Sequence, residues 1–105
     1  MTREERIGLN EALFREVNER IEALGDTFDT PGLEIVCECG DLDCSERIEI
    51  DGAAYQEIRS DDTLFAVILG HEIPDVEDVV RELPGYVVVR KRPGTPAEIA
   101  AQTAP

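Results

Sequence analysis

The sequence predicts a single small α+β domain: an N-terminal helix, then a small mixed sheet with short helices on one face, in the order α-β-β-α-β-α-β. Three observations lead there. The chain has 105 residues, of which 42% are apolar, a length that suits one domain and a composition that can form a core. The first two dozen residues repeat their apolar positions at helical spacing. After them, short apolar runs are separated by Gly, Pro and Asp turn signals at the spacing of strands and short helices. With no Trp, three Phe and two Tyr, the core is mainly aliphatic. Residues 1–92 form the expected domain, and 93–105, rich in Pro, Ala, Thr and Gly, a disordered tail.

Residues 2–24 read as the first helix. Thr2 and Glu5 form a capping box that satisfies two orphan N–H groups. Ile7, Leu13, Phe14, Val17, Ile21 and Leu24 make an apolar stripe expected to pack on the sheet. Glu11–Arg15 and Glu16–Arg20 are i,i+4 pairs on its surface, and Gly25 supplies the C-cap. Residues 26–32 form a loop. Leu33–Cys37 and Arg47–Ile50 are strands of a hairpin that closes through Gly40–Asp43. Asp51 is the N-cap of a short helix through Ser60 that buries Ala54, Tyr55 and Ile58. The apolar run Leu64–Leu69 suits a buried strand. Pro74 opens a helix with Val76, Val79, Val80 and Leu83 inward, stopped by Pro84-Gly85. Tyr86–Val89 is a β-branched strand blunted by Arg90-Lys91-Arg92. The two strand–helix–strand stretches would allow some parallel pairing.

Charge excludes several functions. The chain carries 24 acids against 10 bases, a net charge of −14, and residues 31–62 hold ten of the acids and two of the bases. Such a surface repels phosphates, which argues against direct nucleic-acid binding and against an anionic membrane. A protein with a basic surface, or a cation, is the compatible partner. No apolar run approaches the roughly 18 residues of a membrane span, and the charged start leads into no apolar signal region. The expected location is the cytoplasm. The protein is expected to be a monomer, or a weak dimer through the 2–24 helix.

The cysteines carry the chemistry. Cys37, Cys39 and Cys44 lie within eight residues, and reducing compartments disfavour structural disulfides. Glu38, Asp41, Asp43 and Glu46 surround them, with Arg47 the one base close in sequence. Carboxylates oppose a bare thiolate but suit a dication held among thiolates. Cys37 and Cys39 share one side of an extended segment, and Gly40 permits the turn that returns Cys44. A closed tetrahedral zinc site needs a fourth ligand. The single histidine, His71, follows the 64–69 strand at a Gly70 hinge, so a Cys3His site of Cys37, Cys39, Cys44 and His71 is expected. Asp41, Asp43 or water would be the substitute ligand. A redox-active dithiol and incidental thiols are the competing readings, and an iron–sulfur cluster usually wants four cysteines. His71-Glu72 lacks the second His of a zincin motif, and no phosphate loop or nucleophile elbow is present. No catalytic residue is assigned.

The segments 14–21, Val36–Gly40 with Cys44, 55–59, Gly70-His71-Glu72 and 86–91 resemble a group of small bacterial proteins with no established activity. The resemblance implies that Gly-His-Glu belongs to one signature with the cysteines, which ranks His71 above Asp43 as fourth ligand. The expected function is a small acidic zinc-binding module that engages a basic protein partner, in a regulatory or interaction role. The alternative is a thiol-based redox or metal sensor that releases its ion on oxidation. A small enzyme would need a substrate-sized cavity beside the cluster.

Overall fold

The architecture was read from a computed structural model that describes residues 2–27, 32–41 and 43–103. Eight elements follow in order: α1 (Arg3–Thr27), β1 (Gly32–Val36), β2 (Arg47–Asp51), α2 (Gly52–Arg59), β3 (Leu64–Val67), β4 (Glu77–Leu83), β5 (Tyr86–Lys91) and α3 (Thr95–Thr103). The fold is mixed α+β, with the expected order through β3. Beyond it, a strand stands where a helix was expected. Among the described residues every strand pair is antiparallel, in two small sheets, β1-β2 and β3-β5-β4, and the expected parallel pairing does not occur there.

The start of α1 is the expected capping box. The Glu5 N–H donates to Thr2 Oγ1 (3.1 Å) and the Thr2 N–H to Glu5 Oε1 (3.2 Å). The helix runs two residues past Gly25, and the side chain of Leu24 and most of the loop, residues 28–31, lie outside what is described. Its inward face differs from the apolar stripe. Ile7 is buried, but so are Glu11, Arg15 and Asn18, while Leu13 is 50% and Val17 39% exposed. The Glu16–Arg20 pair forms at 2.9 Å. Arg15 instead turns inward, donating to the carbonyls of Asp62 and Ala100 and to Thr103 Oγ1. Burial lowers its pKa.

β1 and β2 form the expected hairpin. Leu33 pairs with Ile50 and Ile35 with Ile48, and all four are buried while Glu34 and Glu49 face out, as period-2 alternation requires. Asp51 stands at the N-cap of α2 with extended backbone, but its side chain makes no capping bond. Tyr55 and Ile58 of α2 are buried. β3 ends at Val67, short of the expected Leu69, which is exposed.

Residues 77–83 form a strand because Pro84-Gly85 closes a tight turn, with Gly85 at φ +89° and Leu83 paired to Tyr86. The spacing of Val76, Val79, Val80 and Leu83 fits a helix, yet β-branched residues favour an extended chain. Val79 and Val80 are exposed on this edge strand rather than buried, and a register shift falls between Val79 and Arg81. β5 is central and Tyr86–Val89 is buried throughout.

The expected tail is also corrected. Residues 95–103 form α3, which packs on α1: Ala100 is buried, and a Cβ on Gly8 would come 3.0 Å from Ile99 Cδ1. Thr95-Pro96 is a helix start, with Pro tolerated in the first turn, and the Arg15 guanidinium caps carbonyl Ala100 near its end.

A second ionic set sits between α1 and the larger sheet. Lys91 Nζ donates to Glu11 Oε2 and to Glu77 Oε1, and all three side chains are buried. Two carboxylates face one ammonium, and Glu11 Oε1 has no hydrogen-bond partner among the described residues. Burial above all, with Glu77 adding, raises the Glu11 carboxyl to about 8, against the opposing pull of Lys91. A carboxyl whose folded pKa exceeds its unfolded value, about 4.3, contributes stability at low pH that fades as pH rises through the folded value. Glu11→Gln, which mimics the protonated form, should therefore gain stability relative to wild type as pH rises from about 5 to 8. Urea unfolding of both proteins across that range checks this; a constant difference would refute it.

Candidate metal centre

The chain leaves β1 at Val36 and continues extended between the two sheets. The Cys37 N–H donates to the Glu46 carbonyl (3.0 Å), and the Glu38 N–H to the Ala66 carbonyl of β3 (2.8 Å). Side chains alternate, so Glu38 points one way and Cys37 and Cys39 the other. Glu38 is fully buried. Its Oε1 accepts the Ala66 N–H (2.9 Å), and its Oε2 accepts Asn18 Nδ2–H (2.9 Å) and the Tyr55 hydroxyl (2.7 Å). Arg59 stands 3.6 Å from Oε1. Asn18 also brackets Val36, accepting its N–H and donating to its carbonyl, both at 2.8 Å. Burial and the Glu38 charge raise the Tyr55 pKa, so Tyr55 remains a proton donor. The sequence reading placed Glu38 among the acids around the metal; the structure turns it into the core.

On the opposite side the four expected residues meet. The ligand atoms of Cys37, Cys39, Cys44 and His71 lie within 4.8 Å of one another, and all three cysteines are free thiols. His71 Nδ1 is 3.6 Å from Cys37 Sγ and 3.5 Å from Cys44 Sγ. In a tetrahedral zinc site, bonds of about 2.0–2.3 Å place N and S ligands about 3.6 Å apart and two S ligands about 3.8 Å apart. The two spacings from His71 Nδ1 to Cys37 and Cys44 already fit such a site. This Cys3His group could therefore hold a metal ion.

Local folding explains the convergence. Asn10 Nδ2–H donates to the Gly40 carbonyl (2.9 Å), and a Cβ on Gly40 would lie 3.0 Å from Ile7 Cγ2. Gly40 is thus needed for the close approach of α1 rather than for an unusual dihedral. Asp41 Oδ1 accepts the Asp43 N–H (2.9 Å) and the Asp41 carbonyl the Cys44 N–H (3.1 Å), a turn that returns Cys44. Leu42 lies outside the described residues. The Asp41 carboxylate is engaged in that turn. His71 is presented by a turn in which its N–H donates to the Ile68 carbonyl (2.9 Å), and Gly70 takes φ +97°.

Backbone amides point at each sulfur. The Ile68 N–H donates to Cys37 Sγ (3.2 Å), and amides of Cys39, Asp41 and Glu46 favour the thiolates of Cys37, Cys39 and Cys44 respectively. Such bonds stabilise negative sulfur and orient metal ligands. The hydrogen bond from the Cys37 thiol draws Cys39 down to about 5 and holds Cys37 well above the usual thiol range, with burial adding to it. Burial also raises Cys44. A cation entering the cluster would displace the thiol protons, because cysteine binds a metal as the thiolate.

No family model, curated protein or solved structure matches this chain significantly. The chemistry of the site rests on its own residues. What sequence reasoning missed is the supporting set of Asn18, Glu38 and Tyr55. Alternation about Glu38 was the available signal, because two cysteines turned one way oblige the residue between them to turn the other.

His71 Nδ1 lies within 3.6 Å of two of the three sulfurs, and His71 is not part of the hydrophobic core. His71→Ala should weaken metal binding by about tenfold or more, in the range of lost ligand-sphere interactions, while leaving the apolar core intact. Competition with a chromophoric chelator, paired with circular dichroism, measures both; wild-type affinity in the variant would remove His71 from the ligand set.

Proposed function

We propose that this chain is a small acidic zinc-binding module whose Cys3His site is structural and which acts as a protein-interaction or regulatory domain. The observation that carries the reading is the convergence of Cys37, Cys39, Cys44 and His71 within 4.8 Å. Three thiolates and one imidazole are a donor set that suits zinc. Bound there, the ion would tie the β1–β2 hairpin to the turn after β3. Structural zinc contributes on the order of 10 kcal/mol in small sites, comparable to the whole stability of a domain, about 5–15 kcal/mol.

The net charge of −14 supports a basic protein surface as the partner rather than nucleic acid or a membrane, and the chain is read as a binding module rather than an enzyme because no catalytic set is assigned in it. No helix among the described residues is long and apolar enough to cross a membrane, and the cytoplasm is the proposed location. A second reading, a redox sensor that releases its ion, draws support from Cys44, which is only half-buried. Peroxide could reach that sulfur first.

Two outcomes are expected. Gently purified, reduced protein should carry about one equivalent of zinc; native mass spectrometry checks the stoichiometry, and an apo mass would sink the reading. Chelation should raise amide exchange in residues 33–50 and 70–74 and leave α1 protected, since its packing on α3 and the sheet does not pass through the ion. Unchanged exchange in those segments after complete metal removal would refute the structural role and favour the sensor.

A further inference from the structure

A cavity of about 450 Å³ opens beside the cysteine–histidine cluster, within the size range of small-molecule pockets. Three segments wall it. The first turns of α1 contribute Arg3, Arg6 and Ile7, the loop after β1 contributes Cys39, and the turn after β3 contributes His71 and Ile73. Its lining combines apolar side chains with two guanidinium groups in a protein that has 24 acids.

The two arginines differ. Arg3 is held by Asp75, donating to both carboxylate oxygens at 2.6 and 3.3 Å. Nine of the ten bases have an acid within 4.0 Å. Arg6 is the tenth, and it has no ion-pair partner among the described residues. Arg6 is exposed to solvent and lines the cavity wall, so its guanidinium is open to an incoming anion. The one acid on the wall, Asp41, has Oδ1 engaged by the Asp43 N–H. At the start of α1 the Glu5 N–H is taken by Thr2 Oγ1 and the Thr2 N–H by Glu5 Oε1.

We propose that this cavity binds a small molecule carrying an oxyanion, a carboxylate or phosphate, with the anion on the Arg6 guanidinium and the apolar part against Ile7 and Ile73. A guanidinium presents a planar fork that matches both anions. An occupant would lie against Cys39 and His71 and cover that side of the metal centre. The proposal rests on the metal reading in one respect: the ion would fix two of the three walls.

The test uses full-length, reduced protein whose zinc content is first read by native mass spectrometry. Acetate, succinate and inorganic phosphate are each titrated while amide and Arg6 Nε–H resonances are followed. Saturable shifts confined to Gly40, Gly70, His71 and Arg6 are expected with at least one of them, and which one responds separates a carboxylate from a phosphate ligand. Arg6→Gln should weaken that binding about tenfold or more with zinc content unchanged, whereas Arg20→Gln, at a distant exposed pair, should not. Protein that holds zinc but shows no saturable shifts there, or binds equally well as Arg6→Gln, overturns the cavity proposal and leaves the metal centre standing. Binding through Arg6 in protein without zinc supports the cavity and overturns the metal centre.

Discussion

The buried carboxylate of Glu38 is the constraint on which the rest of the arrangement depends. It accepts hydrogen bonds from α1 through Asn18, from α2 through Tyr55 and from β3 through the Ala66 amide, so one side chain from the strand extension gathers three other elements. A carboxylate placed in a core is costly unless its oxygens are satisfied, and here both are. Removing any donor would leave part of that cost uncompensated, at roughly 1–3 kcal/mol for a buried partner. Because neighbours in an extended chain alternate sides, fixing Glu38 inward also fixes the direction of Cys37 and Cys39. The Glu38 hydrogen-bond set and the cysteine pair are two faces of one buried backbone segment.

The inward face of α1 follows the same logic. Its polar residues are recruited one by one: Asn18 to the strand extension, Arg15 to the end of α3, Glu11 to Lys91. Phe65 lies under three cations, with Arg15, Arg59 and Lys91 between 5.2 and 5.4 Å from its ring. The ring and these cations form a partly polar centre in a domain with few aromatics, where directional bonds set the position of each element more sharply than aliphatic packing alone.

Features with local causes were legible in the sequence. The capping box at Thr2 and Glu5, the alternation of Leu33, Ile35, Ile48 and Ile50, and the burial of Tyr55 and Ile58 all depend on near neighbours. The four residues of the candidate site were legible because their chemistry is scarce: three cysteines and one histidine in the whole chain. What was not legible depends on distant partners. Val76, Val79, Val80 and Leu83 satisfy helical spacing, and only their pairing with β5 makes them a strand. Glu11 and Arg15 look like a surface pair, until Lys91 and α3 supply stronger partners 80 or more residues away. α3 reads in the sequence as a Pro-, Ala- and Thr-rich tail, and what makes it a packed helix is a distant partner, the α1 surface at Gly8 that Ile99 meets.

The irregularity in β4 has a bearing on how the molecule behaves in a crowd. β4 is the outer strand of its sheet, and an outer strand presents unpaired amides and carbonyls that can template polymerisation. The shift between Val79 and Arg81 breaks the even ladder in the middle of that margin, and Asp78, Arg81 and Glu82 place charges along it. The opposite margin, β3, is sealed by Glu38 through both its amide and its carboxylate. One rim is thus crooked and charged and the other is occupied, so two exposed valines sit on a surface that gives a passing strand no straight track to follow. The same glutamate that orients the cysteines also keeps the sheet from growing.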